Sequence, residues 1–343
     1  MVKEREIIKP FFSIIIPVYN VGKYLGYCLD AVKGQKFLAF EVVLVDDGST
    51  DGCSDVCDQY AAEDDRFIVL HQKNQGLLQA RRNGLKIARG EYIIHIDSDD
   101  ACSFDLLEEL YSAIQESNAD LLIYNFELID ECNNQIQRHT PAFGRESALC
   151  RLSKKDIINK MLTTTEINTI WMKCAKRNIV DITVDYSRYG RLMMGEDVLQ
   201  SIPLIENAKE IVYIPKCLYK YRYNRAGMSR SMKKSYIFDF LNVRRRFYNM
   251  LQKMTEVEEE DRILLYKNYS HFLINYLLKE SLVCQSRKEY LELKKEIVPY
   301  LLPINESEYL ENTVEKAAWI LCKSNLFWIT RFIAGVYFGE KGI

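Results

Sequence analysis

The sequence predicts an α/β fold: a doubly wound, mostly parallel sheet followed by a helical C-terminal region. Three observations predict it. Short apolar runs alternate with helical patterns through the first 126 residues. The runs are continuous and β-branched, as expected of strands covered by helices on both faces. Their alternation supplies the crossovers that parallel neighbours need. From about residue 232 the composition changes to long helical patterns, so we divide the chain into 1–230 and 231–343.

The elements follow in order. Phe11 to Ile16 is a strand ended by Pro17, and Val21 to Gln35 a helix. Glu41 to Val45 is a second strand, leading into Asp46-Asp47-Gly48-Ser49, with a helix from Asp51 to Glu63. Phe67 to Leu70 is a third strand, and Gln75 to Ala88 a helix stopped by Gly90. Glu91 to Ile96 is a fourth strand, ending at Asp97-Ser98-Asp99-Asp100. Helix Phe104 to Ser117 and strand Asp120 to Phe126 complete the βαβαβαβαβ series. Residues 127–165 are polar, with a helix over Lys154 to Leu162. Gly195 to Ala208 is a further helix, and Glu210 to Tyr223 forms one or two strands. Helical patterns then run over 235–254, 260–285 and 287–301, and again from 306.

The chain has 343 residues, 48% hydrophobic and 27% charged, which excludes a disordered chain, collagen and a disulfide miniprotein. The 46 Lys and Arg against 48 Asp and Glu leave a net charge of −2, so no basic excess points to nucleic acid. Ten cysteines contain no Cys-x-x-Cys pair, and Cys53 and Cys57 lack a matching His or Cys cluster, so no zinc site is expected. They are read as small core residues of a cytoplasmic protein with reduced thiols. Met1 to Pro10 has no signal-peptide hydrophobic region.

Open α/β sheets bind ligands beyond the carboxyl ends of their strands. Two acidic clusters lie there. Asp97-Ser98-Asp99-Asp100 puts three carboxylates after a buried strand, where they repel one another and lose hydration. A cation relieves both costs, and oxygen donors with open positions suit Mg²⁺ or Mn²⁺ shared with phosphates. Capping of the next helix is the plainer reading of any one of them. Around Asp46-Asp47, a turn and a cap account for Gly48, Ser49 and Asp51 but poorly for Asp46, which suits a ribose or base. No Gly-x-Gly-x-x-Gly or Walker A sequence occurs.

Glu196-Asp197 opens a helix, where a carboxylate either caps or serves as a general base. Arg81-Arg82 faces either a diphosphate or solvent. The segment 222–246 carries Arg222, Arg225, Arg230, Lys233, Lys234 and Arg244 to Arg246 against Asp239 alone, which suits either an anion or a solvated face.

Several ordered motifs resemble family 2 glycosyltransferases of the GT-A fold. They are Ser13-Ile14-Ile15-Ile16-Pro17-Val18-Tyr19-Asn20, Val45-Asp46-Asp47-Gly48-Ser49-Thr50-Asp51 and Asp97-Ser98-Asp99-Asp100. Asn74-Gln75-Gly76, Ala80-Arg81-Arg82-Asn83-Gly84, Trp171-Met172-Lys173 and Gly195-Glu196-Asp197 match further segments, as does Tyr221-Arg222-Tyr223 with Gly227-Met228-Ser229. The match covers roughly residues 10–230. One departure stands out: Arg82 occupies a place where the family usually has Asn.

The resemblance implies an inverting, metal-dependent transfer of sugar from a nucleotide-sugar, UDP being the commonest carrier. The acceptor would be a saccharide or lipid-linked saccharide of a cell-surface polysaccharide. Pro17, Tyr19, Asn20, Asp46, Asp47, Gly76, Arg81, Asp97 and Ser98 would bind the nucleotide. Asp99, with Asp97 and Asp100, would hold Mn²⁺ or Mg²⁺. Asp197 would be the general base, with Glu196 its rival. Trp171, Lys173, Arg222 and Arg225 would line the acceptor or diphosphate side. An inactive assembly scaffold and a sugar nucleotidyltransferase are the alternatives. The intact carboxylates oppose the first, and the lack of a Gly-rich basic loop after strand one opposes the second.

Residues 317–338 carry Lys323, Ser324, Asn325, Thr330 and Arg331, too many polar groups for a spanning helix. As one helix they would place Leu321, Cys322, Leu326, Trp328, Ile329, Phe332, Ile333 and Val336 on a broad face. Such a face suits a membrane interface, a dimer contact or the core of the second domain.

Overall fold

The structure is a computed structural model that describes residues 9–138, 142–143, 149–164, 166–192, 194–223, 236–255, 257–311 and 313–339. The chain forms two compact units, Met1–Ser231 and Met232–Ile343.

The first unit is built on one sheet. β1 (Phe12–Val18), β2 (Phe40–Asp46), β3 (Phe67–His71) and β4 (Tyr92–His95) stand in the order β3-β2-β1-β4, all parallel. The helices between them are α1 (Gly22–Lys33), α2 (Cys53–Glu63) and α3 (Leu77–Ile87). β1 and β2 are buried along their whole length, as their unbroken apolar runs require. β1 lies between β2 and β4, so chain order reverses there and a crevice opens at the strands' carboxyl ends. α3 packs tightly onto this part of the sheet through Gly84. A Cβ there would come within 2.7 Å of Ile15 Cγ2 and 3.0 Å of Val45 Cγ2.

The sheet continues through β9 (Lys173–Lys176), β6 (Leu121–Ile129), β10 (Ile211–Arg222) and β5 (Ala101–Cys102). β6 and β10 are parallel, whereas β9 is antiparallel to both β4 and β6 and β5 is antiparallel to β10. The sheet is therefore mixed, with β1, β2, β3, β4, β6 and β10 running in one direction. The expected helices over Phe104–Ser117, Lys154–Leu162 and Gly195–Ala208 appear as α4 (Leu106–Ser117), α5 (Lys154–Thr163) and α6 (Glu196–Asn207). β10 is one strand with register shifts between Ile214 and Tyr219. Pro215 lies there and cannot donate to the ladder. β9 was not expected, because Lys173-Cys174-Ala175-Lys176 carries a lysine at each end and no β-branched residue. β7 (Gln135–Arg138) and β8 (Cys150–Leu152) pair at the margins. Eight of the ten cysteines are buried and all are free thiols, so they serve as core residues.

The second unit contains α7 (Tyr236–Lys253), α8 (Glu259–Val283), α9 (Arg287–Ile297), α10 (Thr313–Lys323) and α11 (Phe327–Gly339). Its core gathers Leu241, Tyr269, Leu273, Leu277, Trp319 and Ala334. The single helix expected over 317–338 is two. The Ser324 hydroxyl accepts from Leu326 N–H and donates to Leu321 C=O, which closes α10 and starts the turn into α11. The buried side of α11 is Phe327, Thr330 and Ala334, while Trp328, Ile329, Phe332 and Val336 are exposed. Among the described residues, no helix is long and apolar enough to cross a membrane.

Candidate active site

The loops after β1, β2 and β4 and the first turn of α6 carry many of the expected site residues, with Arg81 on α3, Lys173 on β9 and Arg222 at the end of β10. Arg81 is the hub. It lies in the middle of α3 with none of its surface exposed. Its Nη2 donates to Asp97 Oδ1 at 2.6 Å, and its Nη1 donates to Asp197 Oδ1 at 2.5 Å. One guanidinium thus joins the carboxylates after β4 and at the start of α6. Neither Arg81 nor Arg82 faces solvent, which corrects that alternative.

The three carboxylates after β4 differ in what they do. Asp100 is buried and both its oxygens are taken: Oδ2 accepts from Tyr219 O–H at 2.7 Å and Oδ1 from Arg222 N–H at 2.7 Å. Burial and the neighbouring Asp99 and Asp97 push its carboxyl up. Asp97 is held by Arg81, yet burial, outweighing that cation, still pushes it up. The Asp99 carboxylate makes no hydrogen bond or ion pair to another side chain among the described residues, although its backbone C=O accepts from Arg222. Its own backbone N–H and the more distant Arg222 and Arg81 lower its carboxyl less than burial raises it. Of the three it is the one whose carboxylate has no side-chain bond among the described residues, whereas Asp97 has Oδ1 held by Arg81. Ser98 is buried between them.

Tyr219 was not anticipated. It accepts from Asp97 N–H at 3.2 Å while donating to Asp100, and so fixes the acidic turn. Its ring stacks on Trp171 at 4.3 Å, and Tyr221 stacks on the same indole at 5.4 Å. Trp171 is buried and supports the acidic turn through Tyr219. Only the position of Tyr219 near the end of a strand could have marked it beforehand.

Arg222 is also committed. Its Nε donates to Asp99 C=O at 2.6 Å, its Nη1 to Asp130 C=O at 2.8 Å, and its guanidinium lies over the Tyr24 ring at 4.6 Å. Arg225 and the segment Gly227-Met228-Ser229 lie outside the described residues, as do Arg230, Lys233 and Lys234.

Asp46 and Asp47 are buried and saturated. Asp46 accepts from Ser49 N–H, Ser54 O–H and His71 Nδ1. Burial pushes its carboxyl up, but these bonds outweigh it and hold the group below the usual range. Asp47 accepts from Gln72 Nε2 at 2.7 Å, Gln75 N–H at 2.7 Å and Gly76 N–H at 2.8 Å. The pair therefore shapes the loops around the crevice. Gly76 has φ +88°, a left-handed value that suits glycine. Pro17 is buried within β1. Tyr19 is exposed at the crevice side of β1. Asn20 has φ 52°, and its Oδ1 accepts from Thr50 N–H at 2.8 Å, tying the first loop to the second.

At α6 the N-cap is Gly195, so neither Glu196 nor Asp197 caps the helix. Both stand in its first turn, where the helix dipole favours negative charge. Glu196 Oε2 is buried without a hydrogen-bond partner among the described residues. Burial, then Asp197, push its carboxyl up against the pull of Arg81. Lys173, expected on the acceptor side, is buried; its Nζ donates to Ile167 C=O at 2.6 Å and to Thr169 C=O.

The signature of glycosyl transferase family 2 matches residues 13–181. A glycosyltransferase of Streptococcus pneumoniae serotype 4, GlyG, is 33% identical over 225 residues, covering 64% of this chain and 73% of GlyG. The chain belongs to glycosyl transferase family 2. GlyA of the same organism, also a glycosyltransferase, is 30% identical over 223 residues, but these cover only 31% of its length. The crystal structure of S. aureus TarS residues 1–349 in complex with UDP-GlcNAc superposes with a TM-score of 0.71 at 20% identity, covering 96% of this chain and 92% of that one. That likeness establishes the GT-A fold expected of the family. The motif residues Arg81, Asp97 and Asp197 thus meet in one crevice of a family 2 glycosyltransferase.

Proposed function

We propose that the chain transfers a sugar, with inversion, from a UDP-sugar to a hydroxyl of a saccharide or lipid-linked saccharide in cell-surface polysaccharide synthesis. The observation that carries this reading is the Arg81 bridge, which sets Asp197 beside the acidic turn at the sheet's switch point. The binding of UDP-GlcNAc by the TarS fragment supports a UDP-sugar donor.

The residues fit a divalent cation. Asp99 offers uncommitted carboxylate oxygens, and Asp97 lies in the same turn. Among the described residues no three His, Cys, Asp or Glu side chains form a cage. Mg²⁺ and Mn²⁺ bound through one or two carboxylates and substrate phosphates need none. When bound, such an ion stabilises charge on a departing diphosphate.

The chain's own groups do the rest. Asp197 takes the proton of the acceptor hydroxyl, a contribution of roughly 10²–10⁴-fold for such a group. Arg81 holds its Oδ1, which fixes the carboxylate's direction. Attack opposite the leaving nucleotide inverts the anomeric centre in one displacement. Tyr19 stands where it can cover the nucleoside. The exposed Trp328, Ile329, Phe332 and Val336 suit contact with a membrane interface when the acceptor is lipid-linked. The test is release of UDP from UDP-sugars with Mn²⁺ and a saccharide acceptor, followed by the anomeric configuration of the product. Acceptor-dependent UDP release with an inverted product supports the reading. No release from any UDP-sugar across an acceptor panel contradicts it.

A further inference from the structure

A second polar site lies in the first unit, apart from the carboxylates. It is a cavity of about 30 Å³ between α3, β4, β9 and α6. Its wall includes Arg82, His95, Lys173, Asp181, Tyr186 and Gln200. Arg82 is 7% exposed and Lys173 1%.

Neither cation has a carboxylate within ion-pair distance among the described residues. Arg82 donates only to carbonyls, from Nη1 to Asp181 C=O at 2.7 Å and from Nη2 to Val184 C=O at 3.2 Å. Lys173 likewise holds two carbonyls, which leaves one of its three N–H donors uncommitted. Asp181 is in the wall, but its carboxylate is turned to Thr183, accepting from both N–H and Oγ1. His95 also lines the cavity. Its Nδ1 is buried without a partner.

We propose that this cavity binds a single halide ion, chloride, between Arg82 and Lys173 with His95 in its wall.

Two buried positive charges on one small cavity are costly unless an anion is near. The cavity fits a monoatomic ion. Its volume is enough for one particle the size of a water molecule or a halide. Water would fill the space but leave the charge uncompensated. Burial lowers Arg82 against the pull of Tyr186 and Asp181 and brings Lys173 down to about 7 against the pull of Asp197, and an anion beside them would raise both. The site also accounts for the departure at position 82, because Asn there would remove one of the two charges. The anion would pin α3 and β9 to α6 from behind, and α6 carries Glu196 and Asp197.

Two measurements on the full chain test the proposal. The first is thermal unfolding at matched ionic strength in sodium chloride and in sodium gluconate, for the wild type and Arg82→Asn. The expected result is a Tm about 2–4 °C higher in chloride, lost in Arg82→Asn. The second is a crystal of the wild type grown in bromide, with an anomalous peak expected between Arg82 and Lys173. That map decides the matter should Arg82→Asn not fold. Equal Tm in the two salts, a chloride effect that survives in Arg82→Asn, or a cavity without bromide each overturns the proposal.

Discussion

Arg81 and Asp197, 116 residues apart in sequence, meet in a 2.5 Å hydrogen bond with the arginine wholly buried. The same guanidinium holds Asp97 at 2.6 Å. A buried charge left without its partner is strongly destabilising, at about 3–5 kcal/mol. Arg81→Met leaves Asp97 and Asp197 facing each other. We expect a stability loss of that order by chemical denaturation, with sugar transfer below about 1% of wild type, since a 1.4 kcal/mol barrier change is already tenfold. A variant as stable and active as wild type would show that the bridge holds nothing.

Asp99 and Asp100 should part company on substitution. The Asp99 carboxylate has no side-chain partner among the described residues, and its C=O bond to Arg222 survives the change, so Asp99→Asn should shift Tm little. It should abolish Mn²⁺-dependent UDP binding, measured by titration calorimetry. Asp100→Asn breaks bonds to Tyr219 and Arg222 and should cost about 1–3 kcal/mol of stability. Metal-dependent affinity retained in Asp99→Asn would transfer the ligand role to Asp97.

Asp197→Asn keeps the shape of the carboxylate and removes its basicity. Donor binding should persist while turnover falls by roughly 10²–10⁴-fold. Near-normal turnover would move the base to Glu196, the other carboxylate in the first turn of α6.

His95 makes a prediction about acid. Its folded value of about 3 lies below the ordinary 6.5, so the unfolded chain binds more protons between them. Stability from this group is complete above about pH 6.5 and falls as pH drops toward 3, by up to about 1.4 kcal/mol per unit. His95→Gln should therefore lose less stability than wild type between pH 6.5 and 4.5, read from denaturant midpoints. Parallel pH profiles for the two proteins would contradict the assignment.

Apart from the two-residue β5, the strands and helices of the first 126 residues were legible because each is a local pattern of about a dozen residues or fewer. The acidic cluster after β4 was legible because three carboxylates in four positions at a buried strand's end repel one another and lose hydration. Division of labour within the clusters was not legible. Asp47 is filled by Gln72, Gln75 and Gly76, and Asp100 by Tyr219 and Arg222, partners that only the fold brings near. Whether Arg81-Arg82 faces a diphosphate or solvent stayed open for the same reason: local sequence does not show that two carboxylates wait for Arg81. β9 was hidden by its two lysines, one of which, Lys173, is buried against carbonyls. The break between α10 and α11 rests on one hydroxyl, that of Ser324, which a periodicity argument passes over.

The most direct test is thermal unfolding of the wild type with UDP, in Mn²⁺ and in EDTA. A ligand bound only by the folded state raises stability by about 2.7 kcal/mol at a hundred times its dissociation constant. A UDP-sugar site that uses a divalent cation gives a rise in Tm with UDP and Mn²⁺ together that EDTA removes. No rise with UDP under either condition would contradict the UDP-sugar site.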